Sequence, residues 1–176
     1  MKLQKITLIS FGYFDHDFLQ NIAKKIHDEF FITAQVKEAY FDLSDFYDPA
    51  RRQYDANQLL HYIEKNYSAD DAKTIGLFNV DLFIPIFTYI FGQAFLNGRT
   101  GIASAYRLSN ERYGIDADAE LMQERFAKEI IHELGHTFGL KHCHVSDCIM
   151  RSGTYVEDID QKNSGFCQTC NDNLLI

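Results

Sequence analysis

Eleven residues near the C-terminal end of this chain, HELGHTFGLKH at 132–142, restrict its fold more than any other stretch. His132 and His136 are four apart, so on a helix they project from one face, one turn apart. That arrangement suits two ligands of one tetrahedral zinc ion, whose bonds to imidazole nitrogen are about 2.0–2.1 Å long. His142 comes six residues after His136 and would point elsewhere if the helix ran on. Gly139 answers this, because glycine accepts the left-handed backbone that ends a helix. The chain can then turn back and carry His142 to the same ion. Three protein ligands leave a fourth position open, which separates a catalytic zinc from a structural one. Glu133, beside the first ligand, can take a proton from water activated by the metal, and is the candidate general base. A bare H-E-x-x-H arises by chance, but the glycine and third histidine in register make the full pattern far more specific.

All four cysteines, Cys143, Cys148, Cys167 and Cys170, fall in the last 34 residues. Four thiolates at these spacings suit a closed tetrahedral zinc site. Two disulfides are disfavoured by the absence of a signal peptide. A redox C-x-x-C lacks its thioredoxin-like surroundings, while iron in a four-thiolate site stays open. His144 lies between two of the cysteines and could replace one. His142 and Cys143 would serve different metals, which an extended segment permits because successive side chains point oppositely. The cysteine site would then pin the loop that carries the third histidine. Met150, two residues past Cys148, sits where the chain could pass beneath the histidines, although a lone Met usually fills core space.

Elsewhere, polar and apolar residues alternate over 3–10 as in a strand, and apolar residues at helical spacing mark 15–30. Residues 31–39 read as a strand, 42–52 as a loop around Pro49, 56–67 as a short helix and 73–78 as a third strand. The apolar run 82–96 reads as one or two buried strands and 99–108 as another, before a long helix over 117–138. Strands alternating with helices imply an α/β domain with a mostly parallel sheet. The 176 residues suit one domain, divided into an α/β part, 1–139, and a Cys-rich part, 140–176, that needs a metal staple. The net charge of −8 and the scattered 17 basic residues argue against a nucleic-acid partner. The apolar run is too short and too interrupted to span a bilayer. With no signal peptide read at the N-terminus, the expectation is a soluble cytoplasmic protein with no membrane or obligate protein partner. His16, His27 and His61 read as ordinary surface or packed histidines, and RRQY at 51–54 as a solvated loop.

Taken together, HELGHTFGLKH, the following C-x4-C-x-M and the later C-x-x-C resemble the archaemetzincins, a branch of the metzincin metallopeptidases. The match is strong over 128–170 and looser around VDLFIP, FGQA and RRQY. The resemblance implies His132, His136 and His142 as catalytic zinc ligands, Glu133 as the base and Met150 as the Met-turn residue. It implies a second, structural zinc on Cys143, Cys148, Cys167 and Cys170. It also implies a twisted, mixed and mostly parallel sheet whose antiparallel edge strand, within 86–97, rims the cleft and receives peptide by strand addition. Two departures stand out. Sixteen residues separate Met150 from Cys167, and Arg151 occupies the position where some metzincins carry a tyrosine, with Tyr155 further on. The group that steadies the transition state beside zinc is therefore unassigned. The expected function is a zinc-dependent peptidase, narrowed to an aminopeptidase acting on small peptides. The rival is a zinc-bound peptide-binding or scaffold protein with little hydrolysis.

Overall fold

Near-continuous burial along the central strands, with helices packed against them, builds a sheet covered on both faces. The computed structural model describes residues 5–176, so the first residues of the strand expected over 3–10, and the first four of the N-terminal stretch read for a signal peptide, lie outside the described residues. In chain order the elements are β1 (Lys5–Ser10), α1 (His16–Phe30), β2 (Ala34–Glu38), β3 (Tyr47–Asp48), β4 (Gln53–Asp55) and α2 (Ala56–Tyr67). There follow β5 (Ala72–Phe78), β6 (Leu82–Phe83), β7 (Gly92–Ala94), β8 (Thr100–Ser104), α3 (Ala119–Thr137), α4 (Val156–Asp160) and α5 (Gln168–Asp172). The main sheet has the order β2-β1-β5-β8-β7, parallel except for β7, which runs antiparallel to β8 at the edge. The mixed, mostly parallel sheet with an antiparallel edge strand inside 86–97 is thus the observed one.

Alternate strand residues enter different cores. Ile6, Leu8, Ile75, Leu77 and Ala103 pack with α1 and α3, while Ile9, Phe78 and Ile102 pack with α2. Leu140, Cys148, Ile149, Met150, Val156, Ile159 and Cys170 join the first of these cores, so the Cys-rich segment shares the core of the α/β part. Side chains of Asp15, Asp55 and Asp118 accept the orphan N–H groups of Phe18, Gln58 and Leu121 and so start α1, α2 and α3.

Four expectations change. The strand read over 31–39 begins only at Ala34, because Phe31 adopts a left-handed conformation (φ 55°) and caps α1. The supposed loop over 42–52 holds a 3-10 turn and β3, and β3, β4 and β6 form a small second sheet. The run 82–96 is not buried strand throughout. Only β6 and β7 are strands, and Ile86 and Phe87 between them are 79% and 54% exposed. Pro85 supplies no N–H to a ladder, and the chain turns there through a bond from Phe87 N–H to the Ile84 carbonyl. The strand expected over 99–108 is shorter, closing at Ser104.

The second half of α3 is sunk into the protein on all sides, every residue from Arg125 to Gly135 being buried. Arg125 meets Asp160 with two parallel bonds of 2.7 Å and also donates to the Leu108 carbonyl, which fastens α4 to α3. The C-terminal end of α3 is satisfied carbonyl by carbonyl. Leu140 N–H donates to Gly135 (2.9 Å) and Gly139 N–H to His136 (3.0 Å), the two bonds of a Schellman turn. Asn97 N–H reaches the His136 carbonyl, Leu175 N–H that of Phe138, and Lys73 Nζ that of Thr137 at 2.8 Å. Gly139 has φ +91°, and a Cβ there would lie 2.8 Å from the Leu175 side chain. Replacing Gly139 with Ala should therefore cost about 1–2 kcal/mol of stability from the backbone alone, and more from the Leu175 contact. A denaturant melt with an unshifted midpoint would show that the turn does not need glycine.

Candidate active site

The reversal at Gly139 brings His132, His136 and His142 together, with one ligand nitrogen from each lying within 4.8 Å of the others. Nδ1 of His132 bonds the Ile149 carbonyl at 2.8 Å and Nδ1 of His136 bonds the Leu140 carbonyl at 2.7 Å. A backbone carbonyl can only accept, so each Nδ1 carries the proton and each Nε2 lone pair is free for a metal. The two Nε2 atoms are 3.1 Å apart, close to the roughly 3.3 Å that tetrahedral zinc imposes on two imidazole ligands. Burial holds all three imidazoles below the ordinary histidine range, and so keeps them neutral as metal ligands must be. Three neutral imidazoles with an open side fit a catalytic zinc.

Glu133 faces the same space. Its Oε2 is buried without a hydrogen-bond partner. Burial, and then the neighbouring carboxylate of Glu129, raise its pKa well above the ordinary carboxylate range. Glu129 lies one turn earlier on α3, is itself raised by burial, and is close enough to share a proton with Glu133. The edge strand comes down directly on the base: a Cβ at Gly92 would sit 2.8 Å from Glu133 Oε1 and 2.7 Å from the Ile102 carbonyl. Only glycine lets β7 approach that closely.

Below the histidines lies Met150, fully buried. A Cβ at Gly135, between the two helical ligands, would collide with the Met150 sulfur. The four cysteines form a second cluster, their sulfurs all within 4.8 Å of one another. Cys143 and Cys167 sulfurs are 3.8 Å apart and those of Cys148 and Cys170 3.7 Å, so none is disulfide-bonded. Tetrahedral zinc at bonds of about 2.3 Å separates its sulfurs by about 3.8 Å, so the donor set fits such an ion. Val145 N–H and Cys167 N–H point at the sulfurs of Cys143 and Cys148, as donors to thiolates do. His144 is exposed and stands outside the cluster.

A cleft of about 450 Å³ runs over the histidines. One wall is Phe91, Gly92, Gln93 and Ala94; the outer rim is apolar, with Ile84, Phe87, Ile90 and Leu96. Arg51, read from sequence as a solvated loop residue, donates to the Phe87 carbonyl at 3.2 Å and lies 4.3 Å over the Phe83 ring. Gln53 donates to the Thr88 carbonyl at 2.9 Å. Together they hold the rim in place. Neither Arg151 nor Tyr155 reaches the cleft; Arg151 bonds the Ser146 carbonyl and Tyr155 is exposed. His16 and His61 are exposed, and His27 bonds the Ile32 carbonyl. Among the cleft residues that escaped the sequence reading are Glu129 and Lys162. Glu129 stands four before Glu133 and was findable by helical spacing; Lys162 comes from an irregular segment and carried no signal.

Residues 14–175 match the model of peptidase family M54. Archaemetzincin from Pyrococcus horikoshii is 37% identical over 159 residues, which cover 87% of this chain and 83% of that protein. The crystal structure of archaemetzincin from Methanopyrus kandleri superposes with a TM-score of 0.83 at 31% identity, covering 96% of this chain and 92% of that one. A structure described as a zinc-dependent peptidase, from Methanocorpusculum labreanum, superposes with a TM-score of 0.82 at 26% identity, covering 96% and 98%.

The histidine shifts carry a testable consequence. Protons should compete with zinc for this site only below the ordinary histidine range, about pH 6.5. In a proton NMR titration of zinc-free protein, the His132, His136 and His142 midpoints should fall below that value. Midpoints at or above it would contradict the burial argument.

Proposed function

This chain belongs to peptidase family M54, the archaemetzincins, and is a zinc-dependent metallopeptidase; on that premise we propose that Glu133 is its general base, that it carries two zinc ions, and that it acts as an aminopeptidase on small peptides. His132, His136 and His142 would hold the catalytic ion, and Cys143, Cys148, Cys167 and Cys170 the structural one, with Met150 as the packed floor beneath the histidines. Bound zinc supplies Lewis acidity, lowering the pKa of water and polarising a carbonyl. The remaining work falls to the chain. The outer edge of β7 offers backbone groups to an extended peptide, which would add as a further strand, and the apolar rim covers its side chains. Glu133 takes a proton on its unpartnered Oε2 and hands it to the leaving amine. Glu129 gives the cleft a second carboxylate suited to a substrate α-ammonium, which favours the aminopeptidase form. Four free thiols agree with a cytoplasmic location, and no described helix is long and apolar enough to cross a membrane.

The observation that carries this reading is the orphan Glu133 oxygen buried beside three converging, carbonyl-oriented imidazoles. Glu133→Gln keeps the shape and removes the base. It should retain zinc, measured by elemental analysis, and lose turnover by roughly 10²–10⁴-fold on peptides with free N-termini. Turnover equal to wild type would remove Glu133 from the mechanism, and equal turnover of N-acetylated peptides would remove the aminopeptidase form.

A further inference from the structure

The group that Arg151 fails to supply has a candidate in Lys162. Three lysines are withdrawn from solvent, and two have structural partners. Lys73 Nζ donates to the Gly98 and Thr137 carbonyls. Lys128 Nζ pairs with Glu124 at 3.0 Å and also reaches the Ile159 carbonyl. Lys162 is as deeply buried, at 5% exposure. Yet among the described residues its ammonium has no carboxylate within 4.0 Å and no hydrogen-bond acceptor. The stem is buried while the ammonium, not sealed from solvent, opens into the cleft, and an unpaired charge placed in a cleft is characteristic of functional sites.

Its position says what it faces. Lys162 lines the cleft with Glu129, Glu133 and the three histidines. Its charge is felt by all three imidazoles, by the carboxyls of Glu129 and Glu133, and by Asp158 on α4. Gly153, also in the cleft wall, lies beside it, a Cβ there standing 3.7 Å from Nζ. Lys162 follows α4, which the Arg125–Asp160 pair fixes to α3, and its N–H bonds the Ile159 carbonyl. The backbone that carries Lys162 is therefore fastened to the same helix that carries the base. The other polar ring in that wall, Tyr89, already donates its hydroxyl to the Thr154 carbonyl at 2.9 Å.

We propose that Lys162 Nζ receives the anionic oxygen on the acyl side of the scissile bond: the carbonyl oxygen as it gains charge during hydrolysis, and the carboxylate of the product afterwards. No bond to Lys162 forms or breaks; the ammonium donates a hydrogen bond and offsets charge, as oxyanion donors do. This rests on the peptidase reading for its kinetic half and stands apart from it in binding.

The test compares leucine with leucinol, which keeps the amine and side chain but has no carboxylate, on zinc-loaded protein by calorimetry. Lys162→Met preserves the length of the stem. It should weaken leucine roughly 10–100-fold, the effect of one charge-assisted bond, and leave leucinol unchanged at full zinc content. Turnover of peptides should drop mainly in kcat. Should Lys162→Met disturb folding or zinc content, Lys162→Gln provides the same comparison with a neutral donor. Leucine binding equal to wild type in a folded, zinc-replete variant overturns the proposal. Loss of leucine affinity in a protein whose wild type hydrolyses nothing would uphold it and count against the peptidase reading alone.

Discussion

Three consecutive residues passing beneath the end of α3 fix the geometry of everything above them. Cys148 places its sulfur in the four-cysteine cluster, the Ile149 carbonyl orients the His132 ring, and Met150 fills the space that Gly135 leaves vacant. The Met150 carbonyl in turn accepts the N–H of Cys143, next to His142. The two clusters are therefore mechanically one unit. A ligand on an irregular segment needs such support, because a loop alone does not hold an imidazole to the fraction of an ångström that zinc demands. The cysteine cluster stiffens the segment on which the third histidine rides.

Above this floor the protein treats its buried charges in two ways. Away from the cleft Arg125 is paired with Asp160 and Arg107 with Asp81. Inside it, Glu129, Glu133 and Lys162 lie near one another without tight pairing, and one Glu133 oxygen has no donor at all. Burial raises the carboxyls and lowers the lysine, while the opposite charges of carboxyl and lysine work against both shifts.

Much of this was legible in the residues themselves. The i, i+4 histidines and the glycine three past the second announced a helix and its reversal, and the Schellman turn at Gly139 is that reversal. Alternation of polar and apolar residues found β1, and helical spacing found α1, α2 and α3. The failures share a cause. Apolar residues over 82–96 resembled core, but those between β6 and β7 form the exposed rim of the cleft, and composition cannot distinguish a surface kept apolar for a peptide from an interior. Arg51 acts on Phe87 across 36 residues of chain, and Lys162 lines the cleft beside α3 histidines that precede it by 26 and 30 residues, its position set through α4. Such contacts depend on the folded topology and leave no local pattern.

If three imidazoles and four thiolates hold two separate ions, one of them with a vacant side, diffraction from crystals of the purified protein on either side of the zinc absorption edge will show it. Two anomalous peaks are expected, one bonded to the sulfurs of Cys143, Cys148, Cys167 and Cys170. The other should be bonded to nitrogens of His132, His136 and His142 with no fourth protein ligand. A single peak, or a protein side chain closing the histidine site, would contradict it.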